Sequence, residues 1–342
     1  MDGDIIAFWI PRAAAILAAA ALICALLIVV LHPLLARYAM AQPNARSSHK
    51  LPTPQGGGIA VTAATVAVAG AATYALPMGA TASTRLMIVA AAAVLIALVG
   101  VLADMHPRNF APRLLLQTLA VAAVIFALPP DLRVAATAPW WAERAVLLIG
   151  GLWFVNLVNF MDGLDWMTAA EVVPVTGALA AIGLLGRLPE QEIVVSLALC
   201  GAVIGFAWFN RPVAALFLGD VGSLPIGLTL FWLLVWLAGD GGHAAAILLP
   251  LYYLADSTVT LVRRALKGER VWHAHRTHFY QRATDRGFTV MGVVAHVFVV
   301  NLVLAALALA TILAPGRITD IAALSAGALL VAWLLYHFAR RR

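Results

Sequence analysis

The sequence predicts an all-α, polytopic membrane protein, and three observations lead there. Of 342 residues, 63% are hydrophobic and 11% charged, against roughly 45–50% apolar and about 25% charged in a soluble domain. The apolar residues gather in runs of the length that crosses a bilayer, about 20 residues. The longest stretch between runs, near 263–290, is too short for a separate soluble domain. Composition alone therefore excludes soluble enzymes, nucleic-acid readers and disordered chains.

The elements follow in order. Hydropathy between breaks gives about eleven spans, near 13–35, 57–76, 86–102, 113–128, 145–160, 167–185, 193–209, 223–238, 244–262, 291–313 and 319–339. They form one integral-membrane domain over 1–342, with no internal repeat. The first run follows Asp2 and Asp4 and is longer than the apolar part of a signal peptide, so it reads as a span. Cys24 and Cys200 lie inside spans and read as small hydrophobes. Neither a disulfide nor a thiol metal site is expected.

Lys and Arg set the orientation. With the N-terminus outside, the inner segments hold Arg37, Arg46, Lys50, Arg108, Arg113, Arg211, the basic residues from Arg263 to Arg286, and Arg340 to Arg342. That is sixteen of the 22 basic residues. The positive-inside rule then predicts an outside N-terminus and a cytoplasmic C-terminus. The net charge of +6 is topological, and no nucleic-acid partner is needed to explain it.

A carboxylate at a helix centre costs about 2.5–3.5 kcal/mol on insertion scales, so each acid near a span end asks for an account. Asp104, Asp162, Asp165, Asp220 and Asp256 all fall on the predicted cytoplasmic side. Asn156, Asn159, Asp162 and Asp165 recur every three residues, which places them along one helical face if the fifth span continues through them. Such a face offers oxygen ligands to a hard cation such as Mg2+ and hydrogen bonds to a sugar or nucleobase. Simple helix capping would explain one or two of the four.

The turn Phe217-Leu-Gly-Asp220-Val-Gly-Ser223 opens the eighth span. Free N–H groups at that helix start favour an anion, and Asp220 would hold the metal accompanying it. In the last inner loop, His273, His275 and His278 alternate with Arg276 and Arg282. Without a nearby cysteine the cluster suits phosphate better than zinc, although a basic loop facing anionic lipid has similar residues. Ser48-His49-Lys50-Leu-Pro-Thr-Pro-Gln-Gly56-Gly57-Gly58 joins the first two spans on the same side.

Together, in this order and on one face, these four segments resemble the polyprenyl-phosphate N-acetylhexosamine-1-phosphate transferases. That family also includes the phospho-muramoyl-pentapeptide transferase of peptidoglycan synthesis. The resemblance runs from Ser48 to Arg282. The pattern His273-x-His275-Arg276-x-His278-x-Tyr280-Gln281-Arg282 looks most like the branch that starts O-antigen and related surface polysaccharides. In the muramoyl branch the histidines are consecutive.

The resemblance implies a reaction at the inner face of a bacterial plasma membrane. Undecaprenyl phosphate attacks the β-phosphorus of a UDP-N-acetylhexosamine, releasing UMP, with Mg2+ (or Mn2+ in its place). It implies Asn159 and Asp220 at the metal, with Asp104, Asp162 and Asp165 as the catalytic carboxylates. Substrate-binding residues would be His49, Lys50, Asn156, His273, His275, Arg276, His278 and Arg282. The donor sugar stays open among GlcNAc, GalNAc, QuiNAc and FucNAc, as does oligomeric state, a homodimer included. The family usually has adjacent aspartates after the third span, and here Ala103 replaces the first. A catalytically weakened paralogue is the nearest alternative. A transporter is further off, since transport sites favour the bilayer midplane and repeat symmetry.

Overall fold

A computed structural model describes residues 3–42, 51–76, 79–105, 110–270 and 275–340. The chain begins with α1 (Gly3–Tyr38), followed by a two-residue antiparallel ladder of β1 (Met40–Ala41) with β2 (Thr53–Pro54), which pairs Met40 with Pro54 and Ala41 with Thr53. Then come α2 (Gly58–Ala75), α3 (Ala80–Met105), α4 (Phe110–Phe126) and α5 (Trp140–Met161). Next are α6 (Met167–Ile182), which ends in a π-helical turn at Gly183–Arg187, α7 (Glu190–Ala207) and α8 (Asp220–Gly239). The chain closes with α9 (His243–Leu248), α10 (Leu251–Leu266), α11 (Phe279–Asp285), α12 (Val290–Leu313) and α13 (Arg317–Ala339).

Among the described residues, nine helices are long and apolar enough to cross a membrane: α1, α2, α3, α5, α6 with its π turn, α7, α8, α12 and α13. The other two expected spans take different forms. The seventeen residues of α4 reach only about 25 Å at 1.5 Å per residue. The run near 244–262 breaks at Leu249-Pro250 into α9 and α10, because proline has no N–H to continue the helical ladder. Both faces of α10 are mixed. Val259, Val262 and Leu266 are exposed, whereas Asp256, Ser257, Thr260 and Arg264 are buried. Thr258 and Arg263 are exposed beside the apolar residues, and Tyr252, Tyr253 and Leu261 are buried with the polar group.

The bundle is organised around α8, which is enclosed by neighbours along its length. Helices without a hydrophobic drive between them associate by close packing of small residues, and the contacts have that character. Gly201 and Gly205 of α7 lie against the Leu17 and Ala21 carbonyls of α1, and Gly227 of α8 lies against Val155 of α5. The C-terminal ends of α3 and α5 and the N-terminal ends of α4 and α8 meet at one end of the bundle. At the other end Arg133 pairs with Glu143, and Arg187 pairs with Asp240 at 2.8 Å.

Candidate active site

The site is built on the first turn of α8. Gly219 precedes it with φ +77°, where a Cβ would lie 2.8 Å from Asp104 Oδ2. Asp104, at the end of α3, accepts hydrogen bonds from Asp220 N (3.2 Å) and Val221 N (3.4 Å). The amides of Gly222 and Ser223 donate to the Gly219 carbonyl. The expectation of free N–H groups awaiting an anion is therefore corrected: a carboxylate of this chain already caps them. What the turn presents to a ligand is the Asp220 side chain.

The triple glycine of the first motif has its reason here. Gly56 N and Gly57 N donate to the Phe217 carbonyl at 3.1 and 2.9 Å, and Gly58 N donates to the Leu218 carbonyl at 2.9 Å. This loop lies backbone to backbone on the approach to α8. A Cβ on Gly58 would come within 2.1 Å of Gly222 Cα.

The Asp220 carboxylate joins three elements. Arg113 Nη1 of α4 pairs with its Oδ2 at 2.8 Å, and Asn159 Nδ2 of α5 donates to its Oδ1 at 2.6 Å. Asn159 Nδ2 also donates to Ser223 Oγ at 2.8 Å, while Arg113 Nη2 donates to Asn159 Oδ1 at 3.3 Å. The Arg113 and Asp220 side chains each keep 25% exposure, so a ligand can reach both.

The donor set suits a hard cation. Mg2+ keeps several waters and takes one or two carboxylates plus substrate phosphates. Asp104, Asp220 and the Asn159 amide supply such a partial set, and the Arg113 guanidinium already provides positive charge beside it. Among the described residues no three His, Cys, Asp or Glu side chains converge into a preformed cage. The oxygen set fits a metal that arrives with its substrate.

The proposed single face from Asn156 to Asp165 does not form, because α5 stops at Met161 and Asp162 leaves the helix at φ −83°, ψ 61°. Tyr280 OH takes up the Phe160 carbonyl at 3.0 Å, and a Cβ on Gly163 would meet that hydroxyl at 2.2 Å. The four polar residues then part company. Asn156 turns to Gln117 Oε1 of α4 (3.0 Å) and so does not join Asn159. Asp162 accepts a hydrogen bond from Thr168 Oγ1 (2.5 Å). Asp165 is 4% exposed and accepts from Ala214 N (3.0 Å), which ties the 210–216 loop to the start of α6. Trp166, at φ 63°, completes this turn by donating its backbone N–H to Asn210 Oδ1 and its indole N–H to the Ala207 carbonyl.

The histidine loop is anchored by Asp256. This buried carboxylate bonds His278 Nδ1 (3.2 Å) and accepts from Phe279 N (2.9 Å), Tyr280 N (3.1 Å) and Tyr252 OH (3.2 Å). His278 is buried between the rings of His275 (centroids 4.9 Å apart) and Phe160 (6.4 Å). Burial, with His278 and Arg264 nearby, pushes the His275 imidazole down to about 4, so it is neutral at pH 7. Arg276 pairs with Asp285 at 2.8 Å, and Arg282 is partly exposed on α11. His49, Lys50 and His273 lie outside the described residues.

Residues 86–238 match the family model described as Glycosyl transferase family 4. The chain is 26% identical over 284 residues to a Bacillus subtilis protein named "Probable undecaprenyl-phosphate N-acetylglucosaminyl 1-phosphate transferase", covering 77% of this chain and 76% of that one. It is 28% identical over 232 residues to a Phospho-N-acetylmuramoyl-pentapeptide-transferase of Rhodopseudomonas palustris, covering 58% and 62% of the two chains. In these matches the chain is similar to polyprenyl-phosphate sugar-1-phosphate transferases.

The family 4 match spans α3 to α8, and so contains every residue of the Asp220 cluster. Sequence reasoning missed two members of the candidate site. Arg113 read only as a topological charge at a span start, and nothing local distinguishes it from one. Asp256 stood out as an acid inside a span, but its partners in the histidine loop, His278, Phe279 and Tyr280, lie 22 to 24 positions away, beyond any helical spacing.

Proposed function

We propose that this protein transfers N-acetylhexosamine 1-phosphate from a UDP-sugar to undecaprenyl phosphate at the cytoplasmic face of a bacterial inner membrane. The products are undecaprenyl-diphospho-sugar and UMP, and the step begins a surface polysaccharide of the O-antigen kind. One observation carries this reading: Asp104, Arg113, Asn159 and Asp220 converge at one end of a membrane bundle. There an acceptor anchored in lipid meets a donor from water.

An oxygen of the acceptor phosphate forms a bond to the β-phosphorus, and the bond from that phosphorus to the bridging oxygen breaks. The electron pair leaves with UMP. A phosphomonoester has a second pKa near 6, so the acceptor is mostly dianionic at neutral pH and needs no base. Asp104, engaged by two amides, accordingly holds α8 and Asp220 in place. Arg113 presents a fork of donors that suits phosphate oxygens, and its bond to Asp220 is the one an incoming phosphate would share. Phosphoryl transfer depends on positioning and charge neutralisation. Asp220 and Asn159, with Asp104 beside them, would hold Mg2+ or Mn2+, which when bound neutralises the diphosphate. The neutral His275, stacked on His278, gives the donor sugar a polar surface without added charge.

The test is UMP release by the purified protein with undecaprenyl phosphate, a panel of UDP-N-acetylhexosamines and a divalent metal. UDP-GlcNAc heads the panel because the relative bearing that sugar's name aligns over most of the chain. UMP formation that requires the lipid, the metal and one donor is the expected result. Silence with every donor, from folded protein, would overturn the reading.

A further inference from the structure

Away from the site, Glu171 of α6 and Asn301 of α12 meet inside the bundle, each 1% exposed. Asn301 Nδ2 donates to Glu171 Oε2 at 2.7 Å and to the Ala170 carbonyl at 3.0 Å. The remaining oxygens of the two groups, Glu171 Oε1 and Asn301 Oδ1, are buried without any donor. Among the described residues the ion pairs involve other carboxylates. The titratable group that faces Glu171 from α10 is the Tyr253 phenol, which donates instead to the Met167 carbonyl at 3.2 Å.

An ionised carboxylate only accepts hydrogen bonds, and a charge this deep without a counter-ion is costly. Flipping the Asn301 amide would set Oδ1 against Oε2 and remove the one donor present. A single proton on Oε1 would resolve both defects: Glu171 Oε1–H would donate to Asn301 Oδ1 while Asn301 Nδ2 donates to Glu171 Oε2, the two-bond ring of a carboxylic acid and an amide. We propose that Glu171 is uncharged in the folded protein, and that its reciprocal pair with Asn301 positions the active site by clamping α12 to the first turn of α6.

That turn reaches the site through the end of α5, where Asp162 follows Asn159 by three residues. Thr168, three residues before Glu171, donates to Asp162, and Met167 and Ala170 receive the bonds from Tyr253 and Asn301. Glu171 is a positioning residue that acts through α6 and touches no substrate. Its activity readout rests on the transferase reading above, whereas its protonation does not.

Infrared difference spectra between wild type and E171Q at pH 7 test the proton. The expected result is a carboxylic-acid carbonyl band that E171Q abolishes; a carboxylate band in its place overturns the proposal. Melting temperature and kcat for UMP release then test the positioning. E171Q, whose amide reproduces both hydrogen bonds, should stay within about twofold of wild type in kcat. E171A and N301A, assayed well below their melting temperatures, should lose about tenfold or more. The double variant should be no worse than either single one, since both remove the same contact. If E171Q falls as far as E171A, or E171A melts early at full kcat, the positioning role fails. An inactive wild type would sink the transferase reading while the infrared and melting results still decide the pair.

Discussion

Asp220 is bonded by two donors at once, and a charged group so placed is sensitive to small changes. Replacing it with Asn keeps the size and loses the charge that would face a cation. D220N should lose about 100-fold or more in kcat, on the scale of a removed electrostatic group in a transfer site, with Tm within a few degrees of wild type. R113K retains the charge but not the fork, so it should fall well below wild type yet stay above R113A in the same assay. Adding the family's first aspartate, A103D, should raise kcat by no more than a few-fold, because Asp104 already caps α8 and the acceptor needs no base. A large gain would instead mark the natural protein as weakened. His275 supplies a pH test. Its folded value of about 4 lies below the ordinary 6.5, so the unfolded chain binds the extra proton between those values. Its contribution to stability is complete above about pH 6.5 and is lost as the pH falls toward 4. A His275 NMR titration midpoint near 4, with no break in the kcat profile at 6.5 that H275Q removes, is the expected pattern. Asp104, Asn159 and Asp220 were legible in the sequence because a polar residue at a span end is costly and therefore conspicuous. Arg113 was not, since it looks like a topology charge. Asn156 was named with them as a substrate-binding residue, but it bonds Gln117 of a different helix, a partner that spacing along one helix does not show.

At the scale of elements, the packing of α8 depends on glycines that carry its neighbours into backbone contact. The Cβ built on Gly58 strikes Gly222 Cα, and the one on Gly100 lies 2.4 Å from Val221 N. Backbone atoms cannot rotate away, so G58A and G100A force α2 or α3 off α8 and shift Asp220 with them. Overpacking of this kind costs about 1–3 kcal/mol, and both variants should melt lower in detergent and lose most activity. Gly70 of α2 has open space around its Cβ position, so G70A should melt at or above the wild-type temperature. Equal behaviour of G58A and G70A would remove the case for close approach. The same contacts explain what hydropathy could and could not read. Apolar runs located the long helices, because burial in lipid requires only length and composition. The break at Pro250 was hidden, since the run near 244–262 stays apolar across it. The short ladder of β1 with β2, and the bridge of Gln55 to Phe217 beside it, pair distant segments that no local pattern signals.

For the whole molecule, the two ends of the bundle differ in kind, and the proposed orientation rests on that difference. One end gathers the Asp220 cluster, the Asp256-anchored histidine loop and most of the basic residues among those described. The other is closed by self-contained pairs, Arg133 with Glu143 and His243 Nε2 with the Val134 carbonyl at 2.7 Å. The proposed donor, a soluble nucleotide-sugar made in the cytoplasm, would reach only an inward-facing site, so the proposed function and the positive-inside bias call for the same orientation. The protein is suited to a direct test because Cys24 and Cys200 are both buried, which leaves little background for a thiol reagent. Lys267, just past α10, and Thr137, in the loop before α5, are exposed at opposite ends. In intact cells a membrane-impermeant maleimide should label T137C and spare K267C, and inverted vesicles should reverse the result. Labelling of K267C from outside would place the histidine loop and the Asp220 cluster away from the cytoplasmic donor, and the proposed reaction would then have no route to its substrate.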